Sequence, residues 1–199
     1  SKFSFFLLVL FYVPIMIEMP YVFGVWLKEV PPYTIIFCRL LLIRNLIEQL
    51  FLTLDSSIAA VGDIKEYQNI IFFLNFAPIL ITFLLFSLDF EPQTMYITFI
   101  VYSLVKALII LYYSKKLCGL SIPFFVNKIA FPCAIVFVSA YIFGSIPNNL
   151  MELGFSRFLI VGVVSVLSFF TLVWFIGLTK EERLMIQKIG KGIFFKNNL

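Results

Sequence analysis

The 199-residue chain has no histidine, only three cysteines and few charged residues. Asp, Glu, Lys and Arg make up 13% of it, about half of the ~25% found in ordinary soluble domains. The cysteines show no C-x-x-C spacing, so the sequence supports neither a disulfide framework nor a His/Cys metal site, and no cofactor is expected. Nucleic acid is not an expected partner either, because the net charge of +4 forms no contiguous basic surface.

Hydrophobic residues, in contrast, make up 62% of the chain, and 19% of it is aromatic. They form apolar stretches of roughly 20 residues or more, long enough to cross a ~30 Å hydrocarbon core. A transmembrane β-barrel would instead alternate apolar and polar residues in strands of about 10 residues. We therefore predict an all-α integral membrane protein with six transmembrane helices in one domain, residues 1–178. The predicted spans are residues 3–27, 33–54, 67–88, 93–114, 123–144 and 155–178.

The distribution of basic residues predicts the orientation of these spans. With six spans both termini lie on the same side of the membrane, and that side collects most of the Lys and Arg residues, while Lys28 and Arg157 lie on the other. The positive-inside rule then places both termini in the cytoplasm. The residues counted on the cytoplasmic side are Lys2, Lys65, Lys115, Lys116, Lys128, Lys180, Arg183, Lys188, Lys191 and Lys196.

A separate cytoplasmic segment, residues 179–199, is predicted after the last span. Thr179 and Glu182 have the spacing of a capping box, in which each side chain binds the backbone N–H of the other residue. Apolar residues on one side and basic residues on the other predict an interfacial amphipathic helix over residues 180–195. A frayed basic tail is the alternative interpretation.

Five ionisable side chains are candidates for charged groups deep inside the predicted spans. Each costs about 2.5–3.5 kcal/mol on insertion scales, so such residues usually face the bundle interior, a hydrated cavity or one another. They are Glu18, Arg39, Arg44, Glu48 and Lys106.

The second span carries most of this polarity on one face. In one interpretation Arg44 and Glu48 form an i,i+4 ion pair that neutralises itself. In the other, the face lines a hydrated vestibule in which Arg39 and Arg44 bind an anionic head group, since guanidinium contacts phosphate oxygens bidentately. At about 100° per residue, the residues that share an arc of roughly 140° are Arg44, Asn45, Glu48, Gln49, Asp55 and Ser56.

Two further positions have open interpretations. Lys106 shares a stripe of the fourth span with Tyr102 and Ser103, so it either faces a cavity as a second cation or extends to the cytoplasmic interface. Glu18 lies between Pro14 and Pro20, where a kink is expected. It either binds a coupling ion, as in broken transporter helices, or pairs with an arginine of the next helix, Arg39 or Arg44.

Four short strings at the predicted helix ends carry a family resemblance. They are PYVFGVWL at 20–27, VPPY at 30–33, AVGDIKEY at 60–67 and GLTKEER at 177–183. Because of the order and placement of these strings, the chain resembles bacterial polysaccharide flippases of the O-antigen or lipid-linked oligosaccharide type. These belong to the multidrug/oligosaccharidyl-lipid/polysaccharide exporter superfamily.

The resemblance implies two helical lobes around a cationic cavity, located in the bacterial inner membrane. The implied substrate is an oligosaccharide linked to undecaprenyl pyrophosphate, whose lipid tail stays in the bilayer. Complete members have about twice as many spans, so the chain is expected to be the C-terminal half and to need an N-terminal lobe as its partner. No catalytic residue is expected, because flipping changes no covalent bond of the substrate.

Other functions fit the same composition. A membrane-embedded glycosyltransferase or polymerase of the same pathway needs clustered acid and base residues, which the short outward loops do not supply. A multidrug exporter of the same superfamily would use acidic cavity residues for cationic substrates. A nonfunctional truncated product is a further alternative.

Overall fold

The computed structural model describes residues 1–62, 64–185 and 187–188. The chain folds into helices, and the described residues contain no strand. The helices are α1 (Lys2–Ile17), α2 (Met19–Trp26), α3 (Thr34–Ala59), α4 (Lys65–Leu74), α5 (Ala77–Ser87), α6 (Thr94–Cys118), α7 (Ile122–Phe125), α8 (Phe131–Leu150) and α9 (Phe155–Leu172). Two π-helical segments, Val126–Ala130 and Val173–Gly177, continue α7 into α8 and extend α9.

Four helical segments are long and apolar enough to cross a membrane, which makes the chain a multi-pass membrane protein. The pair α1 and α2 gives a fifth if the two helices, bent by 74°, count as one span. Helix α3 is long enough but carries several charges along its length, so the sixth span stays a prediction. The four segments are Lys65–Ser87, Thr94–Cys118, Ile122–Leu150 and Phe155–Gly177.

Several helices extend beyond the predicted ends of their spans. Helix α3 continues to Ala59, past the predicted end at residue 54, and this places Asp55 inside the helix. Helix α6 likewise continues past residue 114 to Cys118. It ends where Gly119 adopts a left-handed conformation with φ of 69°, which glycine reaches without a Cβ clash. The last turns of these helices carry polar and basic side chains, and for this reason the predicted spans end before them.

Prolines explain the breaks and the π-helical turn. The carbonyl of Met16 has no helical donor four residues later, because that residue is Pro20, and the helix bends there between α1 and α2. Pro78 lies in the first turn of α5, just after the break from α4. Before Pro132 the chain adopts a π-helical turn in which the N–H of Phe131 donates to the carbonyl of Val126.

The helices bury their apolar side chains in two clusters. The larger one joins α1 to α8 and α9 and also includes Leu46 of α3. In this cluster Gly144 of α8 lies so close to α1 and α9 that a Cβ atom added at this position would overlap Ile17 Cδ1 and Ser165 Oγ. The smaller cluster joins α3, α4 and α6 through Ile58, Tyr67, Ile110 and Tyr113. We call the helices α1, α8 and α9 the packed half of the protein.

Candidate functional site

A polar cavity of about 230 Å³ lies between α3 and α6. Each helix contributes polar side chains at spacings that fall on one helical face. The polar lining residues are Arg44, Glu48 and Asp55 of α3, with Tyr102, Ser103 and Lys106 of α6. We call this space the α3–α6 cavity. The stripe of Tyr102, Ser103 and Lys106 expected from the sequence therefore meets the polar face of α3.

The α3–α6 cavity lies at the middle of α6 and along the central and C-terminal parts of α3. Lys106 is midway between Thr94 and Cys118, the first and last residues of α6, which at 1.5 Å per residue is about 18 Å from either end. Arg44 is in the central part of α3, which runs from Thr34 to Ala59. Both side chains are therefore well inside the helical bundle rather than at its ends.

An ion pair along α3 forms one wall of the cavity. Arg44 Nε donates to Glu48 Oε1 at 2.8 Å. Ser103 Oγ donates to the same carboxylate oxygen at 2.9 Å, which connects α6 to the pair. The guanidinium of Arg44 also lies over the Phe99 ring, 4.8 Å from its centroid.

A second ion pair crosses the cavity. Lys106 Nζ lies 3.3 Å from Asp55 Oδ2, and Tyr67 OH donates to Asp55 Oδ1 at 2.5 Å. The hydroxyl of Tyr102 donates to Asn75 Oδ1. Tyr67 of α4 and Asn75, the residue that follows α4, thus hydrogen-bond to side chains that line the cavity.

The α3–α6 cavity is balanced in charge, whereas a predominantly cationic cavity was expected from the sequence and the resemblance. Its two cations, Arg44 and Lys106, face the carboxylates of Glu48 and Asp55. All four side chains remain 26–40% exposed. The pairs can therefore be reached from the cavity, and a ligand can compete for either partner of each pair.

Arg39 lies outside the cavity. Its Nε donates to the carbonyl oxygen of Met16 at 2.9 Å, which is the acceptor that Pro20 leaves without a helical donor. The side chain also borders a separate hollow near Gln93 and the α2–α3 connection. Arg39 therefore stabilises the bend between α1 and α2. Two other residues predicted to face the cavity, Asn45 and Gln49, are partly buried on α3 and do not line it.

Glu18 has a different partner from the two that were predicted. The side chain is fully buried, and its carboxylate accepts a hydrogen bond from Arg157 Nη2 at 3.0 Å, while Arg157 Nε lies 2.9 Å from Oε1. Arg39 and Arg44 are engaged elsewhere, so the proposed pairing of Glu18 with either of them was wrong. Arg157 also donates to the carbonyl of Met151 at 3.4 Å, which ties the bend between α1 and α2 to the connection before α9.

The partner residues that the sequence did not reveal are Arg157 and Asp55. Arg157 was assigned to the outer side of the membrane. Its position inside the predicted span 155–178 was the signal that its side chain could be buried. Asp55 was placed on the polar face of the second span but just beyond its predicted end. No sequence signal indicated that either residue would pair with a side chain so distant along the chain.

The capping box predicted after the last span is present. The Thr179 N–H donates to Glu182 Oε2 at 2.7 Å, and the Glu182 N–H donates to Thr179 Oγ1 at 3.3 Å. Residues 180–185 and 187–188 are helical. The rest of the predicted amphipathic helix over 180–195, residues 186 and 189–195, lies outside the described residues.

Glu182 also connects this segment to the start of α1. Lys2 Nζ donates to Glu182 Oε2 at 2.7 Å. Burial raises the pKa of the Glu182 carboxyl, but hydrogen bonds from Lys2 and Thr179 together lower it by more, so its pKa lies below the ordinary value of 4.5. The carboxylate is therefore the favoured form at neutral pH.

No protein family, curated protein or solved structure matches this chain.

Proposed function

We propose that this chain is one lobe of a transporter that flips an oligosaccharide linked to undecaprenyl pyrophosphate across the bacterial inner membrane. The observation that carries the proposal is the charged, partly exposed α3–α6 cavity, whose two cations, Arg44 and Lys106, lie in the central parts of two long helices. Transporters typically place substrate sites near the bilayer midplane. The resemblance of the four strings to polysaccharide flippases supplies the class of substrate.

The cavity binds the pyrophosphate by exchanging partners. In the substrate-free state Arg44 uses its Nε donor for Glu48, and guanidinium has five N–H donors in all. Phosphate oxygens that replace the Glu48 carboxylate gain bidentate contacts from the same guanidinium. Lys106 changes partner from Asp55 in the same way. Four partly exposed charges in two ion pairs thus form a site that is stable without a ligand and can bind an anion by exchanging partners.

The carboxylates favour one second candidate, an exporter of cationic compounds from the same superfamily. Glu48 is 40% exposed and Arg44 is 26% exposed, so the carboxylate is the more accessible member of the pair. A cationic substrate would replace Arg44 at Glu48. The two functions make opposite predictions, because Arg44→Ala removes the ligand for an anion and Glu48→Gln removes the ligand for a cation.

Complementation tests the proposed function. A flippase-deficient bacterial strain receives the chain alone or the chain joined to the N-terminal lobe of a polysaccharide flippase, and surface polysaccharide is scored with membrane expression measured in parallel. We expect rescue by the joined protein only, and loss of rescue in its Arg44→Ala variant at unchanged expression. Failure of the well-expressed joined protein would contradict the flippase function, and rescue by the chain alone would contradict the assignment as a single lobe.

The Glu48→Gln variant of the joined protein separates the two candidates. A polysaccharide flippase retains export in this variant, because the residue that contacts the anion is still present. Resistance of the strain to cationic drugs is measured in the same cultures. Drug resistance that depends on Glu48, without polysaccharide export, would favour the second candidate.

A further inference from the structure

A larger cavity, of about 890 Å³, lies at the end of the bundle where α1 begins and the last span ends. It shares no lining residue with the α3–α6 cavity. We call it the terminal cavity. Its charged lining consists of the basic residues Lys2, Lys128, Lys180 and Arg183 and the acidic residues Glu181 and Glu182.

The terminal cavity carries positive charge that its own carboxylates do not balance. Glu182 is bound by Lys2 and by the capping box at Thr179. Lys128 and Lys180 are both exposed, and neither forms an ion pair within the part of the chain that the structure describes. Glu181 is the one remaining carboxylate in the described lining.

Arg183 is a third basic residue of the terminal cavity, and a hydrogen bond holds its side chain in place. Its Nη2 donates to the carbonyl of Phe175 at 2.8 Å, within the π-helical end of the last span. Its Nε is buried and has no hydrogen-bond partner among the described residues. The guanidinium is thus anchored at the membrane end of α9 and retains donor capacity.

Apolar side chains border the same cavity on its outer side. Phe3, Phe124 and Ile176 line it and are 58%, 59% and 42% exposed. In a helix that crosses the membrane, such exposed side chains contact acyl chains. A free inorganic anion would gain nothing from them, whereas an amphiphilic anion contacts both the basic residues and the apolar border.

We propose that the terminal cavity binds the phosphate group of an anionic membrane phospholipid, with Lys128, Lys180 and Arg183 around the head group and an acyl chain along Phe124 and Ile176. Basic pockets between transmembrane helices at the membrane surface are known to hold such head groups. The bound lipid connects the starts of α1 and α7 to the end of α9. This site is independent of the proposed transport function, because it uses none of the side chains that line the α3–α6 cavity.

Native mass spectrometry of the purified full chain tests the proposal. The protein is loaded with phosphatidylglycerol, with zwitterionic phosphatidylcholine or with inorganic phosphate, and the fraction that retains each ligand is measured. The variant Lys128→Gln/Lys180→Gln removes two cations from the terminal cavity. The matched control, Lys65→Gln/Lys115→Gln, removes two exposed lysines outside it.

The wild type and the control are expected to retain phosphatidylglycerol in preference to both other ligands. At roughly fivefold per basic residue near the membrane surface, the cavity variant is expected to bind it on the order of 10- to 30-fold more weakly. Equal retention by the cavity variant and the control would overturn the site. Retention of inorganic phosphate as strong as that of phosphatidylglycerol, lost in the cavity variant, would overturn the assignment to a lipid.

Discussion

The ion pairs in two regions of this protein differ in how far their charged side chains are exposed. In the packed half, Glu18 and Arg157 are 0% and 8% exposed and hold a helix bend in place. In the α3–α6 cavity, the members of both pairs are 26–40% exposed. Burial prevents a ligand from reaching the first pair, whereas the others are open to exchange. The comparison favours a scaffold role for the packed half and makes the α3–α6 cavity the candidate functional region.

The largest expected effect is the loss of the buried cation. Arg157→Leu leaves the Glu18 carboxylate without its partner inside the packed half, and breaking such a pair on one side costs about 3–5 kcal/mol. We expect a large drop in the unfolding temperature of the chain in detergent, followed by the loss of monodisperse protein in size-exclusion chromatography.

The double variant Glu18→Gln/Arg157→Leu is the control for this prediction. It removes both charges, so no uncompensated charge stays buried, and most of the lost stability is expected to return. Stability of the single variant equal to that of the wild type would contradict the scaffold role of the pair.

An intermediate effect is expected from extra volume in the packed half. Gly144→Ala adds a methyl group that overlaps Ser165 and Ile17, and overpacking of this kind costs about 1–3 kcal/mol. Gly162→Ala in α9 is the matched control, because its Cβ meets nothing within 4 Å. Thermal unfolding of both variants in the same detergent measures the difference. Because Gly→Ala raises helix propensity at both positions, a stability loss of the same size at Gly162 would show that overlap with neighbouring atoms does not explain the result.

A smaller effect on stability is expected in the cavity. Exposed i,i+4 ion pairs contribute about 0.3–0.5 kcal/mol, so Arg44→Ala is expected to unfold within a few degrees of the wild type. The same variant loses function if the cavity binds the substrate. A large stability loss, similar to that of Arg157→Leu, would mean that Arg44 also belongs to the scaffold and would remove the contrast between the two regions.

The smallest expected effect is local and depends on pH. The pKa of Glu182 lies below 4.5 in the folded chain, so its contacts with Lys2 and Thr179 are intact above pH 4.5 and are lost as the pH falls through the lowered pKa. Hydrogen exchange of the amides in residues 180–183, corrected for the intrinsic rate, is expected to show loss of protection in that acidic range. In Glu182→Gln the protection is expected to be weaker and independent of pH. An acid-dependent loss that persists in Glu182→Gln would assign it to another group.

Helical periodicity was sufficient to predict the helices and a polar stripe on each of two of them, but not that the two stripes meet. Arg44 and Glu48 share one face of α3, and Lys106 lies on the α6 stripe that meets it. Helical periodicity did not predict which charged side chains form pairs. Glu18 and Arg157 are 139 positions apart, and the choice of partner depends on which helices pack together. Local patterns therefore predicted several of the charged side chains inside the bundle, while the tertiary structure determined which of them are neutralised.

The most direct test of the functional role of the α3–α6 cavity is a binding measurement. With excess phosphatidylglycerol present to occupy the terminal cavity, the affinity of undecaprenyl pyrophosphate for the chain joined to an N-terminal flippase lobe is compared between the wild type, Arg44→Gln/Lys106→Gln and the terminal-cavity variant Lys128→Gln/Lys180→Gln. Since hydrogen bonds to charged groups contribute about 1.5–3 kcal/mol each, we expect binding to weaken by about tenfold or more in the first variant and to stay near the wild-type value in the second. Unchanged affinity in Arg44→Gln/Lys106→Gln, with the protein folded, would contradict the account.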